Sequence, residues 1–152
     1  MKRCLFCYLP LQKDEVDFHA ACSKKIFGKS IPPALPYSLK QMQELGTEVI
    51  KSQMTVTGVQ PKLSLDIATN KTKNETKRFS IVGLWGAYIL KPPTANYQQL
   101  PEVEDLTMHL ASVAKIEVVP HSLIRLQSGE LAYITKRIDR LKHTKLHMED
   151  MC

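Results

Sequence analysis

Four side chains that can bind a metal fall into two close pairs near the start of the chain. Cys4 and Cys7 form a Cys-x-x-Cys pair, and His19 and Cys22 form a His-x-x-Cys pair that begins after an eleven-residue interval. A tight turn can present two such ligands to one ion, and the two pairs complete a tetrahedral site of three sulfurs and one nitrogen. Residues 1–30 are too few to fold on an apolar core alone, so a structural zinc module is predicted. Unliganded or redox-active cysteines are one alternative. A catalytic metal is another, and four protein ligands argue against it because they leave no position for water.

A proline-rich stretch follows this candidate module. Residues 31–36 read Ile-Pro-Pro-Ala-Leu-Pro, and three prolines so close together exclude a helix and favour an extended spacer. Ser38, with Gln41 three residues later, matches the capping box that opens a helix. The sequence therefore predicts three parts, namely a zinc module over 1–30, a linker and helix over 31–51, and a larger unit over 52–152.

Apolar periodicity in the larger unit predicts a small antiparallel sheet with one main helix. Ser128 and Gly129 predict the turn of a hairpin. The predicted strands cover residues 63–68, 79–82, 87–91, 122–126 and 130–137. A helix is predicted over 100–116, with Pro101 in its first turn. Its buried stripe is predicted to consist of Val103, Leu106, Leu110 and Val113. The predicted fold class is therefore α+β.

Composition and charge describe a globular protein with a basic surface. Apolar residues make up 43% of the chain, charged residues make up 24%, and the formal net charge is +6, which is ordinary for a soluble domain. A basic chain attracts polyanions such as nucleic acid or ATP, although a solvated surface gives the same count. No apolar run is long enough for a membrane span, and the start of the chain lacks the apolar stretch of a signal peptide. We therefore expect a cytoplasmic protein with no membrane contact, whose thiols stay reduced.

A glycine, a lysine and a glutamate occur in an order that suits phosphate binding. Gly58 permits a close approach of the backbone, and peptide N–H groups near it could hold phosphate oxygens. Lys91 ends an apolar strand, which would place its ammonium at the end of the sheet. Glu104 in the predicted helix is its expected partner, and Glu102 is the rival. The alternatives are an ordinary turn, a surface lysine and a solvated acid.

Several ordered segments of the larger unit match one protein family. They are Thr57–Lys62, Ile89–Pro93, Glu102–Glu104, Ile134–Arg140 and the closing Glu149–Cys152. In this order they resemble the HipA family of bacterial serine/threonine kinases, the toxins of toxin–antitoxin pairs. The resemblance implies that residues 52–152 form a kinase small lobe, preceded here by the zinc module.

The same resemblance implies an ATP site built from separate segments. Its phosphate loop would consist of Thr57, Gly58, Val59, Gln60, Pro61 and Lys62. Lys91, held by Glu104, would contact the α- and β-phosphates. Adenine would be held at Lys136, Arg137 and Ile138. The resemblance also implies that Thr55 and Thr57 are candidate phosphorylation sites, where a phosphate would compete with ATP for the loop. The alternative is that they are simply two β-branched residues in an extended stretch.

Partners and a limit on activity are implied as well. Members of the family transfer phosphate from ATP with magnesium to serine or threonine; aminoacyl-tRNA synthetases are known substrates. A HipB-like antitoxin provides the link to DNA. The catalytic aspartate and the magnesium ligands belong to a large lobe whose motifs this chain lacks, so we predict that residues 1–152 alone are inactive.

Three functions therefore stay open. The chain is expected to be the ATP-binding portion of a longer toxin kinase, or a separate antitoxin-like regulator that docks onto a kinase large lobe. The third alternative is a zinc-knuckle protein that binds nucleic acid, which the low aromatic content of 7% disfavours.

The remaining histidines considered lack the paired spacing of metal ligands. They are His109, His121, His143 and His147. We expect His109 on the surface of its helix and no metal site among the four.

Overall fold

A computed structural model describes residues 2–52, 61–68, 77–82, 86–141 and 144–146, with the backbone alone for 46–52, 140–141 and 145. The described elements are α1 (Ala20–Phe27), α2 (Leu39–Ser52), β1 (Leu63–Ile67), β2 (Phe79–Ile81), β3 (Tyr88–Lys91), α3 (Leu100–Val113), β4 (His121–Arg125), β5 (Leu131–Lys136), β6 (Arg140–Leu141) and β7 (Thr144–Lys145). The protein is a small α+β molecule, as the sequence predicts. None of its described helices has the length and apolar character needed to cross a membrane.

Five of the strands form one antiparallel sheet in the order β2-β1-β3-β5-β4. Leu63 pairs with Leu90 across β1 and β3, and Lys91 pairs with Tyr133 across β3 and β5. Alternate residues of a strand face opposite sides of the sheet, so Leu90 and Lys91 point to different layers. The five predicted strands are confirmed, and so is the hairpin turn, where Gly129 has a φ of 105°.

The candidate metal module shares one apolar core with the sheet. Phe27 of α1 packs edge-on against Phe79 of β2, with ring centroids 5.7 Å apart. The hydroxyl of Tyr88 on β3 donates to the carbonyl of Ile26 at 3.2 Å. At the other edge of the sheet, the backbone N–H of Leu123 in β4 donates to Leu5 at 3.3 Å. The apolar core therefore continues across the predicted boundaries after positions 30 and 51. The division of the chain into three units stays a prediction.

The proline-rich stretch is extended and lies along the β2 edge of the sheet. Ala34 forms an isolated parallel bridge with Arg78. The N–H of Ala34 donates to Lys77 at 2.9 Å, and the N–H of Phe79 donates back to Ala34 at 2.8 Å. The capping box is confirmed, because Gln41 N donates to Ser38 Oγ at 3.4 Å and Ser38 N donates to Gln41 Oε1 at 2.9 Å. The stretch is thus a connection that is hydrogen-bonded to the sheet edge and leads into α2.

The predicted buried stripe of α3 is wrong. Its four members are exposed by more than half of their surface, namely Val103 (55%), Leu106 (53%), Leu110 (60%) and Val113 (81%). The fully buried members of the helix are Pro101 and Asp105. This helix turns a partly polar stripe toward the sheet, with Glu104 and Asp105 next to each other on it. Apolar periodicity failed here because hydrogen bonds and ion pairs attach the helix to the sheet.

Candidate functional site

The four predicted metal ligands come together in the structure. One possible ligand atom from each of Cys4, Cys7, His19 and Cys22 lies within 4.8 Å of all the others. The Nδ1 atom of His19 lies 3.4 Å from the sulfur of Cys7 and 3.8 Å from that of Cys22. Sulfur and nitrogen ligands on a tetrahedral zinc ion are about 3.6 Å apart. The donor set and its spacing therefore fit a metal ion of the zinc type.

Local backbone structure presents these ligands to one point. Residues 5–7 turn, and the N–H of Tyr8 donates to the carbonyl of Cys4 at 2.9 Å. His19 is the N-cap residue of α1, and Cys22 lies in the first turn of that helix. The Nε2 atom of His19 lies 3.0 Å from the carbonyl of Pro10. With its proton on Nε2, this ring leaves Nδ1 as the ligand, an arrangement common for metal-binding histidines.

When no cation is bound, the thiols of Cys4 and Cys22 have different pKa values. Burial acts to raise the pKa of Cys4, but hydrogen bonds from the backbone at His19, Phe6 and Cys7 outweigh it and lower that pKa to about 7. Burial and the neighbouring sulfurs of Cys7 and Cys4 raise the pKa of Cys22 to about 12. Crowded sulfurs resist ionisation together, and a bound cation is what allows them to be thiolates at once. The cluster is therefore suited to a structural cation.

A second cluster lies on the other face of the sheet, where Lys91 and Glu104 form an ion pair between β3 and α3. Both side chains are about three-quarters buried, with 23% and 25% of their surfaces exposed. The ammonium of Lys91 also lies 5.5 Å from the ring centroid of Tyr133 on β5. The expected pairing of this lysine with this glutamate is thus present, while its role toward a nucleotide stays a prediction.

Glu102, the alternative partner predicted for Lys91, faces a cavity rather than the ion pair. It lines a cavity of about 630 Å³ between α2, the residues that follow β3 and the start of α3. Its Oε2 atom is buried and makes no hydrogen bond within the described part of the chain. The cavity is bordered by Leu39, Gln43, Pro93, Thr94, Ala95, Gln98, Gln99, Glu102, Glu130 and Leu131. Because neither Lys91 nor Glu104 borders it, this cavity is distinct from the predicted phosphate site.

The predicted phosphate loop lies largely outside the described residues. This holds for Thr57, Gly58, Val59 and Gln60, and also for the predicted phosphorylation site at Thr55. Pro61 and Lys62 are described and lead directly into β1. Because Leu63 pairs with Leu90, Lys62 is brought beside Lys91 at the end of the sheet. The described end of the predicted loop therefore lies at the same end of the sheet as Lys91.

The segment predicted to hold adenine lies at the other end of β3. Lys136 pairs with Tyr88, three positions along the ladder from the pairing of Lys91 with Tyr133, which corresponds to about 10 Å. The N–H of Lys136 donates to Pro120 at 2.8 Å, and the N–H of Arg137 donates to Ala87 at 2.9 Å. Those two N–H groups are thus engaged within the protein.

The side chains of that segment leave one exposed apolar group. The guanidinium of Arg137 pairs with Asp139, with contacts of 2.8 and 2.6 Å. Ile138 between them is 59% exposed. A base that binds at this segment would pack on the side chain of Ile138. Of the three residues predicted to hold adenine, Ile138 is therefore the one expected to make the apolar contact.

Sequence reasoning missed a third cluster, which joins three parts of the chain. The carboxylate of Asp105 on α3 is fully buried and lies 2.7 Å from Nδ1 of His121 on β4. It lies 3.4 Å from Nε2 of His109 and accepts a hydrogen bond from the hydroxyl of Tyr8. Burial and Asp105 raise the pKa of Tyr8, which keeps this hydroxyl a donor.

The expectation for the scattered histidines is therefore wrong in part. His109 is not a free surface residue, because its ring lies 4.8 Å from that of His121, and these two residues with Asp105 have the composition of a metal-binding group. The i, i+4 spacing of Asp105 and His109 was the available sequence signal. His143 and His147 lie outside the described residues.

Comparison with known proteins places the chain in a family. The family of HipA-like C-terminal domains matches residues 54–152, nearly the range of the predicted larger unit. The chain belongs to this HipA-like family. The matched region contains β1 to β7 and α3, and with them the Lys91–Glu104 pair and Asp105.

A curated relative supports the same classification. The chain is 29% identical over 164 aligned positions to a Haemophilus influenzae protein named "Putative kinase", and the alignment covers 99% of this chain. It covers 44% of the relative, so the chain spans less than half of that protein's length. Together, the HipA-like domain and this relative support a kinase-related function.

Proposed function

We propose that this chain provides the nucleotide-holding portion of a HipA-like protein serine/threonine kinase. The observation that carries the proposal is the Lys91–Glu104 ion pair between a central strand and the main helix. A lysine held by a helix glutamate is the device by which protein kinases place an ammonium on the α- and β-phosphates of ATP. The family match over residues 54–152 and the kinase-named relative support the same function.

The surroundings of the pair favour binding of a polyphosphate. Lys91 is partly buried against Tyr133, which limits the positions that its ammonium can take. Lys62 directly precedes the β1 residue that pairs with Leu90, so a second cationic residue lies at the same end of the sheet, where the predicted phosphate loop ends. A magnesium ion would accompany the nucleotide, with its protein ligands outside residues 1–152. The described residues would thus bind and orient ATP without carrying out the transfer.

The metal module has a structural role in this proposal. Three cysteines and one histidine complete a tetrahedral shell and leave no position for a reacting group. A zinc ion there would hold residues 4–22 against the sheet, and α1 would then seal one face of the core.

We further propose the biological setting that the family resemblance implies. The kinase would act as the toxin of a toxin–antitoxin pair, with a HipB-like antitoxin and a kinase large lobe as partners. A seryl or threonyl side chain, in an aminoacyl-tRNA synthetase for example, would be the acceptor. Phosphate transfer to such a protein by a longer form that contains the large lobe tests this setting, and loss of transfer on Lys91→Met is expected.

Calorimetric titration of the chain with Mg·ATP tests nucleotide binding itself. Lys91→Met should weaken binding by about tenfold or more, because a hydrogen bond to a charged group contributes about 1.5–3 kcal/mol. Lys25→Met is the matched control, since Lys25 is exposed on α1 and loses the same charge. Equal affinities for the wild type and Lys91→Met, or equal losses in both variants, would reject the proposed role of Lys91.

A further inference from the structure

The side chain of Tyr8 connects the metal module to α3, the helix that carries Glu104. Tyr8 directly follows the ligand Cys7 and has a left-handed backbone conformation, with a φ of 60°. Its N–H is bonded to the carbonyl of Cys4, so the position of Tyr8 is part of the metal-binding turn. A non-glycine residue in this conformation is strained, and it persists here where the turn directs the side chain toward α3.

The side chain of Tyr8 makes two contacts with α3. Its hydroxyl donates to Oδ2 of Asp105, and its ring lies 5.0 Å from that of His109, at an angle of 57°. The hydrogen bond to Asp105 bridges 97 positions of sequence. The two contacts therefore join a segment near the start of the chain to the helix that carries Glu104.

Asp105 is also held from the sheet. Nδ1 of His121 on β4 lies 2.7 Å from its Oδ1, and both side chains are almost completely buried, with 7% and 0% of their surfaces exposed. The ring of His121 in turn lies 5.9 Å from that of Tyr133, over which Lys91 is placed. Each oxygen of one buried carboxylate is therefore fixed by a different part of the molecule.

Asp105 and Glu104 are consecutive residues of the same helix, and this links the two clusters. Each residue of a helix advances about 1.5 Å and turns about 100°, so a rotation or slide of α3 that disturbs Asp105 also moves Glu104. From a separation of about 4 Å, a displacement of one or two ångströms weakens the Coulomb attraction of an ion pair by about a fifth to a third, and it breaks the hydrogen bond between the two groups. The anchors of Asp105 thereby restrict the place of Glu104.

We propose that Asp105 is a positioning residue, held by Tyr8 of the metal module and by His121, that keeps Glu104 opposite Lys91 and so makes nucleotide affinity depend on the integrity of the metal module. Its effect on affinity rests on the function proposed above. The effect on the placement of α3 does not.

The Tyr8→Phe variant tests this inference, because it removes one hydroxyl and keeps the ring that contacts His109. We expect Mg·ATP to bind about fivefold more weakly or worse, the lower range of typical coupling between sites, with metal content unchanged. Tyr88→Phe is the matched control. It also removes a hydroxyl that joins the sheet to the metal module, through Ile26, but on the face of the sheet away from Lys91. Its affinity should stay within about twofold of wild type.

Hydrogen exchange of the α3 amides is the second readout and requires no nucleotide. Tyr8→Phe and Asp105→Asn should both speed exchange in α3, and Tyr88→Phe should leave it as in wild type. Unchanged α3 exchange in Tyr8→Phe, or wild-type ATP affinity in that variant, would overturn the inference. If the wild-type chain does not bind ATP, the proposed function fails, and the exchange data still decide whether Asp105 positions the helix.

Discussion

At the scale of single residues, Asp105 is a buried, hydrogen-bonded carboxylate on a helix whose apolar side chains are exposed. It is fully buried, and a carboxylate in that position is stable only when its oxygens are hydrogen-bonded. Tyr8 and His121 supply those bonds. The residue therefore contributes both to stability and to the geometry of its neighbour Glu104.

We predict that Asp105→Asn lowers the free energy of unfolding by about 1.5–3 kcal/mol, because a buried hydrogen bond to a charged group is lost or reversed. Chemical denaturation followed by circular dichroism measures this change. Asp17→Asn is the matched control. Asp17 pairs with Arg125 at 3.0 Å, where 24% and 44% of their side-chain surfaces are exposed, and ion pairs in contact with solvent typically contribute about 0.2–1 kcal/mol. Equal losses in the two variants would contradict the special role of Asp105.

At the scale of secondary-structure elements, α3 combines a polar packed face with an irregular end. After its last turn, Lys115 has a φ of 63°, and its N–H donates to Ser112 at 3.0 Å. Glycine is the residue that usually ends helices in this way, since a side chain is strained there. The helix that carries Glu104 therefore stores strain at its C-terminal end.

Replacing Lys115 with glycine should stabilise the protein. Glycine relieves the strain of the left-handed conformation, but it also has more conformational freedom in the unfolded chain. The net gain in the free energy of unfolding is expected to be about 0.5–1 kcal/mol. Thermal unfolding measures it. Lys115→Ala serves as the control because it removes the same charge and keeps the strain, so it should show no gain. A larger gain from alanine than from glycine would show that charge rather than backbone conformation determines the effect.

Local sequence patterns predicted most of the helices and strands. The packed face of α3, which they did not predict, depends on long-range contacts. Alternation around Leu63 and Leu65 indicated β1, and Ser38 with Gln41 indicated the start of α2, because these signals lie within a few residues. The apolar stripe of α3 indicated the wrong packed face. The packed face makes polar contacts with Lys91 and His121 of the sheet. It also contacts Tyr8, which is 97 positions away from Asp105, and no local period contains such contacts.

The candidate sites divide in the same way. The spacing of Cys4, Cys7, His19 and Cys22 predicted the metal cluster, and the order of parts in a kinase small lobe predicted the pairing of Lys91 with Glu104. The i, i+4 spacing of Asp105 and His109 was the one local signal of the cluster around Asp105. His121 carries no ligand motif and joins the cluster only through the sheet. Local spacing thus indicates chemistry within one element, while clusters between elements require the fold or a family pattern that already contains it.

At the scale of the whole molecule, the metal module and the HipA-like region behave as one packed body. Cys4, Phe18, Ile26 and Phe27 belong to the same buried cluster as Leu65, Phe79 and Leu90. We therefore expect a disturbance at the metal cluster to affect the sheet that carries Lys91.

Removal of the metal should destabilise the entire described body. We expect one zinc ion per chain by elemental analysis, and a strong chelator should lower the melting temperature by about 10 °C or more, as a loss of several kcal/mol does in a domain of this size. Cys7→Ser should reproduce the effect without a chelator. If the sheet melted at an unchanged temperature, with only the metal module disordered, the shared core would not couple them.

We propose that the Lys91–Glu104 pair lies at a nucleotide site, and one titration tests this claim directly. Two-dimensional nuclear magnetic resonance of the isotope-labelled, metal-loaded chain, with increasing Mg·ATP, reports each residue separately. We predict saturable shifts at Lys62, Lys91 and Glu104, with smaller ones near Ile138 and none on the exposed face of α1. Absence of shifts at Lys91 and Glu104 when the nucleotide is in large excess would contradict the claim.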